Sequence, residues 1–307
     1  YEIASCLVGS EMCIRDSLGA GCVDSALNNY VSIHYNATVM SFLHCFYGVG
    51  VMVSPYIMSV VINSAVGWRG GYRTASLIQA LIGSILLLAL PLWKKAHGEE
   101  SIQAEKKMKV LPISQTLRIP GALMTCLLFL TFCAIEVICG GWSATYMVEA
   151  KHMSANLAAR ATMYFYLGMA LGRFLSGVAA KKLTPWQIIF ISMGILGVSQ
   201  TTLLVSGNNV LTMAALLMTG LGVGPLYPNF NYMTPLHFGK DVSQSVMGMQ
   251  MTFASIGTIA APALCGVLGQ LLGMGIFPAY LMIFYVLTAV GIIALRRTLR
   301  QVGRLQQ

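Results

Sequence analysis

The chain has 307 residues, 56% of them hydrophobic and 9% charged, with a mean hydropathy of +0.72. Soluble domains carry about 25% charged residues, so this composition excludes a water-soluble globule and places the chain in a membrane. The net charge of +9 does not mark a nucleic-acid binder, because the basic residues form no single face or stripe.

The eight cysteines make no framework. Cys22, Cys45, Cys126, Cys133, Cys139 and Cys265 lie inside apolar runs, without a C-x-x-C pair or a histidine at zinc spacing. They read as free thiols packed as small hydrophobes. No metal site and no cofactor is expected. A phosphate-binding G-x-x-x-x-G-K-[ST] loop is also missing, which argues against ATP drive.

Residues 1–17 differ from the rest of the chain. Glu11, Arg15 and Asp16 interrupt a weakly apolar lead without a cleavable-signal pattern. Residues Cys6 to Ser17 resemble a peptide produced when sequencing-adapter DNA is translated, so this stretch is read as a non-native lead. Apolar segments of membrane-spanning length then recur at 18–35, 39–63, 72–93, 119–148, 155–180, 186–206, 209–233, 242–272 and 277–296. These predict an all-α membrane protein with nine spanning helices. Residues 94–118, rich in lysine and glutamate, read as a solvated linker. It separates a bundle at 18–93 from one at 119–296, and residues 297–307 form a tail.

The first segment carries the first chemical signal. On a helical wheel Gly21, Asp24, Ser25, Asn28, Asn29 and Ser32 fall within an arc of roughly 140°, leaving an apolar face opposite. A carboxylate at mid-membrane costs about 2.5–3.5 kcal/mol, so Asp24 should face a bundle interior or a water-filled cavity. Glu136 is the other acid inside a predicted span and shares a helix face with Gly140 and Ser143. Either acid could serve proton coupling, since burial favours the neutral carboxyl and water the charged one. The alternative is that Asp24 only bonds a neighbouring helix.

Further candidates lie along the chain. His44 reads as a relay or as a packing histidine. Trp142 and Tyr146 could stack on the apolar face of a bound solute or belong to an interfacial aromatic belt. Gly222, Gly224, Pro225 and Pro228 predict a break in the seventh segment, with Tyr227, Asn229 and Asn231 beside it as pocket residues. In the eighth, Gln250, Ala254, Gly257 and Ala261 share a face of mostly small residues, a packing pattern from which Gln250 could reach a cavity. Arg173, with Lys181 and Lys182, reads as a cytoplasmic anchor and gate contact.

Positive residues set the orientation. One side collects Lys94, Lys95, Lys106, Lys107, Lys109, Arg118, Arg173, Lys181, Lys182, Lys240, Arg296, Arg297, Arg300 and Arg304. The other holds Arg69, Arg73, Lys151 and Arg160. The linker and C-terminus are therefore expected in the cytoplasm, and the Asn36-Ala37-Thr38 sequon on that side is not expected to be glycosylated. An internal repeat points to two related halves: Phe46, Gly50 and Pro55 recur as Phe253, Gly257 and Pro262. Looser echoes link Gly19-x-Gly21 with Gly220-x-Gly222, and Asn29-Tyr30 with Asn231-Tyr232. With three segments before the linker and six after, the first half is expected to lack its opening three.

These patterns resemble the major facilitator superfamily and, within it, the fucose/proton symporter group of sugar transporters. The resemblance covers about residues 18–296. It rests on Gly19-x-Gly21-x-x-Asp24-x-x-x-Asn28-Asn29, then Leu43-His44-x-x-Tyr47-Gly48-x-Gly50-x4-Pro55, Trp68-Arg69, Glu136-x5-Trp142, Gly172-Arg173-x3-Gly177 and Gly222-x-Gly224-Pro225-x-Tyr227-Pro228-Asn229. It implies a twelve-helix fold of which nine are present, with Asp24 on the fourth at a position tied to proton and sugar binding. The fucose transporters carry glutamate there. It further implies a monomeric, multi-pass protein of the plasma or inner membrane, taking up a sugar or similar polyhydroxylated solute with a proton. An exporter or uniporter of another small organic solute is the alternative. An intramembrane transferase would need acids, His or Ser clustered near one interface, and a sensor would usually add a soluble domain.

Overall fold

The computed structural model describes residues 19–62, 67–96 and 110–304, except the side chains of 51–62, 68, 93–96, 155–156 and 159–161. The lead at 1–17, most of the linker and the side chains of Pro55 and Trp68 lie outside the described residues. All regular structure among the described residues is helical. In chain order it comprises α1 (19–34), α2 (Ala37–Ile62), α3 (Gly67–Ala96), α4 (Ile113–Arg118), α5 (Ala122–Glu149), α6 (Ala155–Ala179), α7 (Pro185–Val205), α8 (Asn209–Val223), α9 (Leu226–Phe238), α10 (Ser243–Leu272) and α11 (Phe277–Gln301).

Helices occupy every predicted segment. Among the described residues six stretches are long and apolar enough to span a bilayer: Arg69–Leu92, Ala122–Glu149, Pro185–Val205, Asn209–Phe238, Ser243–Leu272 and Met274–Gln301. Local chemistry sets several boundaries. α7 starts at a reciprocal capping box between Thr184 and Gln187 with Pro185 in the first turn, and Asn208 caps α8 through Val210.

Two expectations need correction. The end of the linker is docked: α4 buries Thr116, and the Leu111 amide donates to Ser245 Oγ on α10 at 3.0 Å. The segment predicted to end at 233 runs on to Phe238, as two helices either side of the break expected from its glycines and prolines. It breaks at Gly224-Pro225, because Pro225 offers no amide to the preceding turn. Pro235 does not stop α9, whose end is set by Gly239 at φ 97°.

Close packing of α6 on α8 fixes the centre of the molecule. Gly168 and Gly172 face Gly220 and Gly224, and their backbones touch. A Cβ on Gly172 would lie 2.5 Å from the Leu221 carbonyl oxygen, and one on Gly224 2.6 Å from that of Met169. Gly168 and Gly220 are tighter still, against the carbonyls of Leu217 and Phe165. Small residues at such spacing let membrane helices approach through dispersion contacts. Gly257 of α10 meets the Leu130 carbonyl of α5 in the same way, whereas its repeat counterpart Gly50 faces open space among the described residues.

The apolar core lies between α5 and the helices α6 to α11, with Phe129, Phe132, Phe165, Phe230 and Phe277 fully buried. α2 packs on α6, α9 and α3. α3 leaves a broad apolar surface, including Leu77, Leu81, Ile85 and Leu88, exposed as on a lipid-facing helix. Gly220→Ala is expected to abolish the folded protein or cost about 1–3 kcal/mol through overpacking. Gly194→Ala, with nothing near its Cβ, should leave the unfolding temperature in detergent unchanged.

Candidate functional site

The polar face of α1 turns into the protein. Ser25, Asn28, Asn29 and Ser32 are buried, while Val23 and Leu27 are exposed. Val31, expected on the lipid side, is buried as well. Gly21 and Asp24 line a cavity of about 540 Å³ with His44 and Tyr47 of α2, Cys133, Glu136 and Val137 of α5, Arg173 of α6 and Tyr227 of α9. Met251, Ala254, Ser255 and Thr258 of α10 complete the wall. The cavity lies at the seam between α1–α2 and the helices that come after the linker.

A chain of hydrogen bonds starts at Asp24. Its Oδ1 accepts from Asn28 Nδ2 at 2.9 Å, and its Oδ2 from the Tyr227 hydroxyl at 3.2 Å, across the seam. With the Asn28 amide donating to Asp24, its oxygen accepts from His44 Nε2 at 2.9 Å, which then carries the proton. The His44 and Tyr227 rings meet edge to face at 4.8 Å. Asp24 is thus held by neutral donors alone among the described residues.

Glu136 is held differently. Arg173 Nη2 donates to Glu136 Oε2 at 3.3 Å. The same guanidinium donates through Nη1 to the His44 carbonyl at 3.3 Å and through Nε to the Gly224 carbonyl at 3.4 Å. It also lies 5.6 Å from the centre of the Tyr47 ring. The helical partner of the Gly224 carbonyl would be the amide of residue 228, but that residue is proline, so the oxygen is free for Arg173. Arg173 is 2% exposed. Its reading as a cytoplasmic anchor beside Lys181 and Lys182 is corrected: the side chain is a buried cation in the cavity wall. The charge asymmetry that sets the orientation survives its removal.

Several expected pocket residues serve the scaffold instead. Trp142 Nε1 donates to the Pro262 carbonyl at 2.9 Å, pinning α5 to α10, and its ring does not line the cavity. Tyr146 is buried and stacked on Phe277 at 4.8 Å. Gln250 is fully buried and bonds Thr125 and Thr234, tying α10 to α5 and α9. Asn29 accepts from Ser243 Oγ at 2.6 Å. Asn229 donates to Ser176 Oγ and to the Pro225 carbonyl. Asn231 is fully buried and does not line the cavity. A Cβ on Gly48 would meet Ala170 at 3.4 Å, and one on Gly222 would lie 2.9 Å from the backbone of Ser192 and Leu196 of α7.

Asp24, His44, Glu136 and Tyr227 therefore line the cavity, with Asn28 behind them. Tyr47, Cys133, Arg173, Met251, Ser255 and Thr258 were not anticipated there. For Arg173 the available signal was an arginine six residues before the end of an apolar helix. The six described cysteines are free thiols. No group of three His, Cys, Asp or Glu suited to a metal ion occurs among the described residues.

A largely apolar cavity with a few convergent polar and charged groups, at the seam between sets of membrane-length helices, suits a small-solute site. Residues 124–304 match the family model of the Major Facilitator Superfamily. The chain belongs to this superfamily of membrane transporters, and it is an integral, multi-pass membrane protein. It is 22% identical over 294 residues to "Bypass of stop codon protein 6" of Saccharomyces cerevisiae, an alignment covering 85% of this chain and 58% of the yeast protein. The chain thus spans about 58% of the length of that curated relative. In fold it matches FucP, a major facilitator transporter solved in the outward conformation, with a TM-score of 0.68 at 17% identity over 94% of this chain and 74% of that one. A variant of the E. coli fucose:proton symporter FucP matches at 0.69 and 17%, over 94% and 75%.

Gln250→Ala leaves the Thr125 and Thr234 hydroxyls without this partner and should cost about 1–3 kcal/mol of stability. Trp142→Phe should also lower the unfolding temperature. Both variants are expected to leave solute KM within about twofold, which transport assays on the folded fraction will check.

Proposed function

We propose that this protein is a secondary active transporter that takes up a sugar or similar polyhydroxylated solute together with a proton. The observation that carries the reading is Asp24: a carboxylate facing the cavity, held by neutral donors, and bonded across the seam by Tyr227. Glu136 and Arg173 cancel each other, so the described cavity wall bears one uncompensated negative charge. A proton on Asp24 neutralises it before the carboxyl is carried through a desolvated intermediate. A neutral solute moved with that proton transfers one positive charge, and the membrane potential contributes about 2.3 kcal/mol per 100 mV.

The remaining chemistry suits hydroxyl-bearing solutes. Tyr47 and Tyr227 offer ring faces, while Glu136, Arg173, Ser255 and Thr258 offer donors and acceptors. The volume falls within the range of about 300–1,000 Å³ usual for small-molecule sites. The names of the two FucP structures support the same substrate class. In this reading the fold is completed to twelve helices in a monomer, the linker and C-terminus are cytoplasmic, and the cavity opens to the outside of the plasma or inner membrane. A second reading, export or uniport of a small organic solute, has one specific support: an uncompensated carboxylate beside tyrosine rings also suits an organic cation.

Asp24→Asn in proteoliposomes should reduce proton-driven accumulation to background while leaving solute counterflow. Undiminished pH-driven uptake in that variant would remove Asp24 from coupling, and an outward proton-for-cation exchange current in the parent would favour the second reading. Glu136→Gln should raise solute KM about tenfold, a loss of roughly 1.4 kcal/mol. An unchanged KM assigns Glu136 a structural role.

A further inference from the structure

The seam between α1–α2 and the later helices is closed by two tiers of side-chain bonds. One tier is neutral: Ser243 to Asn29 at 2.6 Å and the Ser41–Ser176–Asn229 chain at 3.2 and 2.9 Å lie toward the turns at 35–36 and 239–242, and Gln244 to Ser25 at 3.0 Å lies beside Asp24. The other tier lies in the cavity, farther along α1 and α10 from those turns. It consists of Tyr227 on Asp24 and Arg173 on the His44 carbonyl. Among the described residues Arg173 supplies the charged donor that crosses the seam.

We propose that Arg173 is the latch of this seam and that Glu136 is the group through which a bound solute releases it. The guanidinium belongs to the later bundle, where Glu136 and the freed Gly224 carbonyl hold it. From there it reaches over to α2, bonding the His44 carbonyl and lying against the Tyr47 ring. A buried guanidinium that loses an acceptor is strongly penalised, so α2 cannot swing away while Arg173 keeps this orientation. Glu136 lines the cavity. A solute hydroxyl that donates to its carboxylate weakens the hold on Nη2 and lets the guanidinium turn from α2 toward the solute. Occupancy is thereby transmitted to the seam by one side chain that touches both. Arg173 is a positioning residue in this scheme. The proposal rests on the transporter reading in that the two halves must rock, but its test uses neither solute nor proton gradient.

The test is cross-linking at the closed end. Asn29→Cys and Ser243→Cys, introduced in a chain whose native cysteines are serine, bring two thiols within disulfide reach when this end is shut. The initial cross-linking rate of the purified protein then reports the closed population. Arg173→Lys keeps the charge but replaces the planar fork that spans three acceptors. Its rate is expected to fall at least fivefold, and Glu136→Gln should show a smaller fall in the same direction. If Arg173→Lys does not yield monodisperse protein, Glu136→Gln decides. Parental rates in the folded variants, even with a lowered unfolding temperature, would overturn the latch and leave Arg173 as a structural cation. Because the cross-linking rate is read without solute or proton gradient, a failure of coupling in the Asp24→Asn transport assay and a failure of the latch give different results.

Discussion

A guanidinium inside a membrane needs an acceptor for each of its nitrogens, and that constraint organises the centre of this molecule. Arg173 meets it with a carboxylate from α5, a carbonyl from α2 and the carbonyl of Gly224. Each acceptor has a cause in the sequence. Glu136 supplies the charge; Pro228 removes the amide that would otherwise occupy Gly224. The glycines of α6 and α8 bring the two backbones into contact, so that Arg173 can reach the break. Without the close approach the proline would leave an orphan carbonyl at membrane depth, and the arginine would lack an acceptor.

The two intramembrane acids look alike in the sequence and differ in the fold. Glu136 is neutralised by a cation at 3.3 Å, whereas Asp24 has an amide and a phenol. A carboxylate balanced by a guanidinium gains little from a proton, because protonation would strand the cation. One held by neutral donors loses only its desolvation cost when it is protonated. The division of labour proposed for the two acids, coupling for Asp24 and solute contact for Glu136, thus rests on which partners each has, not on depth or helix position.

Much of this fold could be read beforehand because hydropathy and helical period are local properties. The nine apolar segments, the wet face of α1 and the proline break between α8 and α9 all depend on residues within one or two turns. What escaped depends on distant partners. Trp142, Tyr146 and Gln250 do point inward, as their helix faces require, but inward means toward another helix: Pro262, Phe277 and the Thr125–Thr234 pair receive them. Arg173 escaped for the opposite reason. A positive residue near a helix end is ordinarily counted as an anchor, and its partner Glu136 lies on a different helix, 37 residues away. α4 was hidden because six residues without a hydrophobic period carry no helical signal of their own.

The seam must be firm enough to stay shut and weak enough to open, and its chemistry is graded accordingly. Neutral hydrogen bonds contribute about 0.5–1.5 kcal/mol each, and those to charged groups about 1.5–3. The serines, asparagines and glutamine of the closed end sum to a barrier that thermal motion can cross once nothing stronger holds α2. The stronger donor is placed in the cavity instead of at that end. There Glu136 lines the cavity, and the Tyr227 bond across the same seam ends on Asp24, the acid proposed to take the proton. The Arg173 contact across the seam ends on the His44 carbonyl, with Glu136 behind it in the cavity wall. A seam built with its charges at the closed end would be as tight, but neither proton nor solute would have any direct means of loosening it.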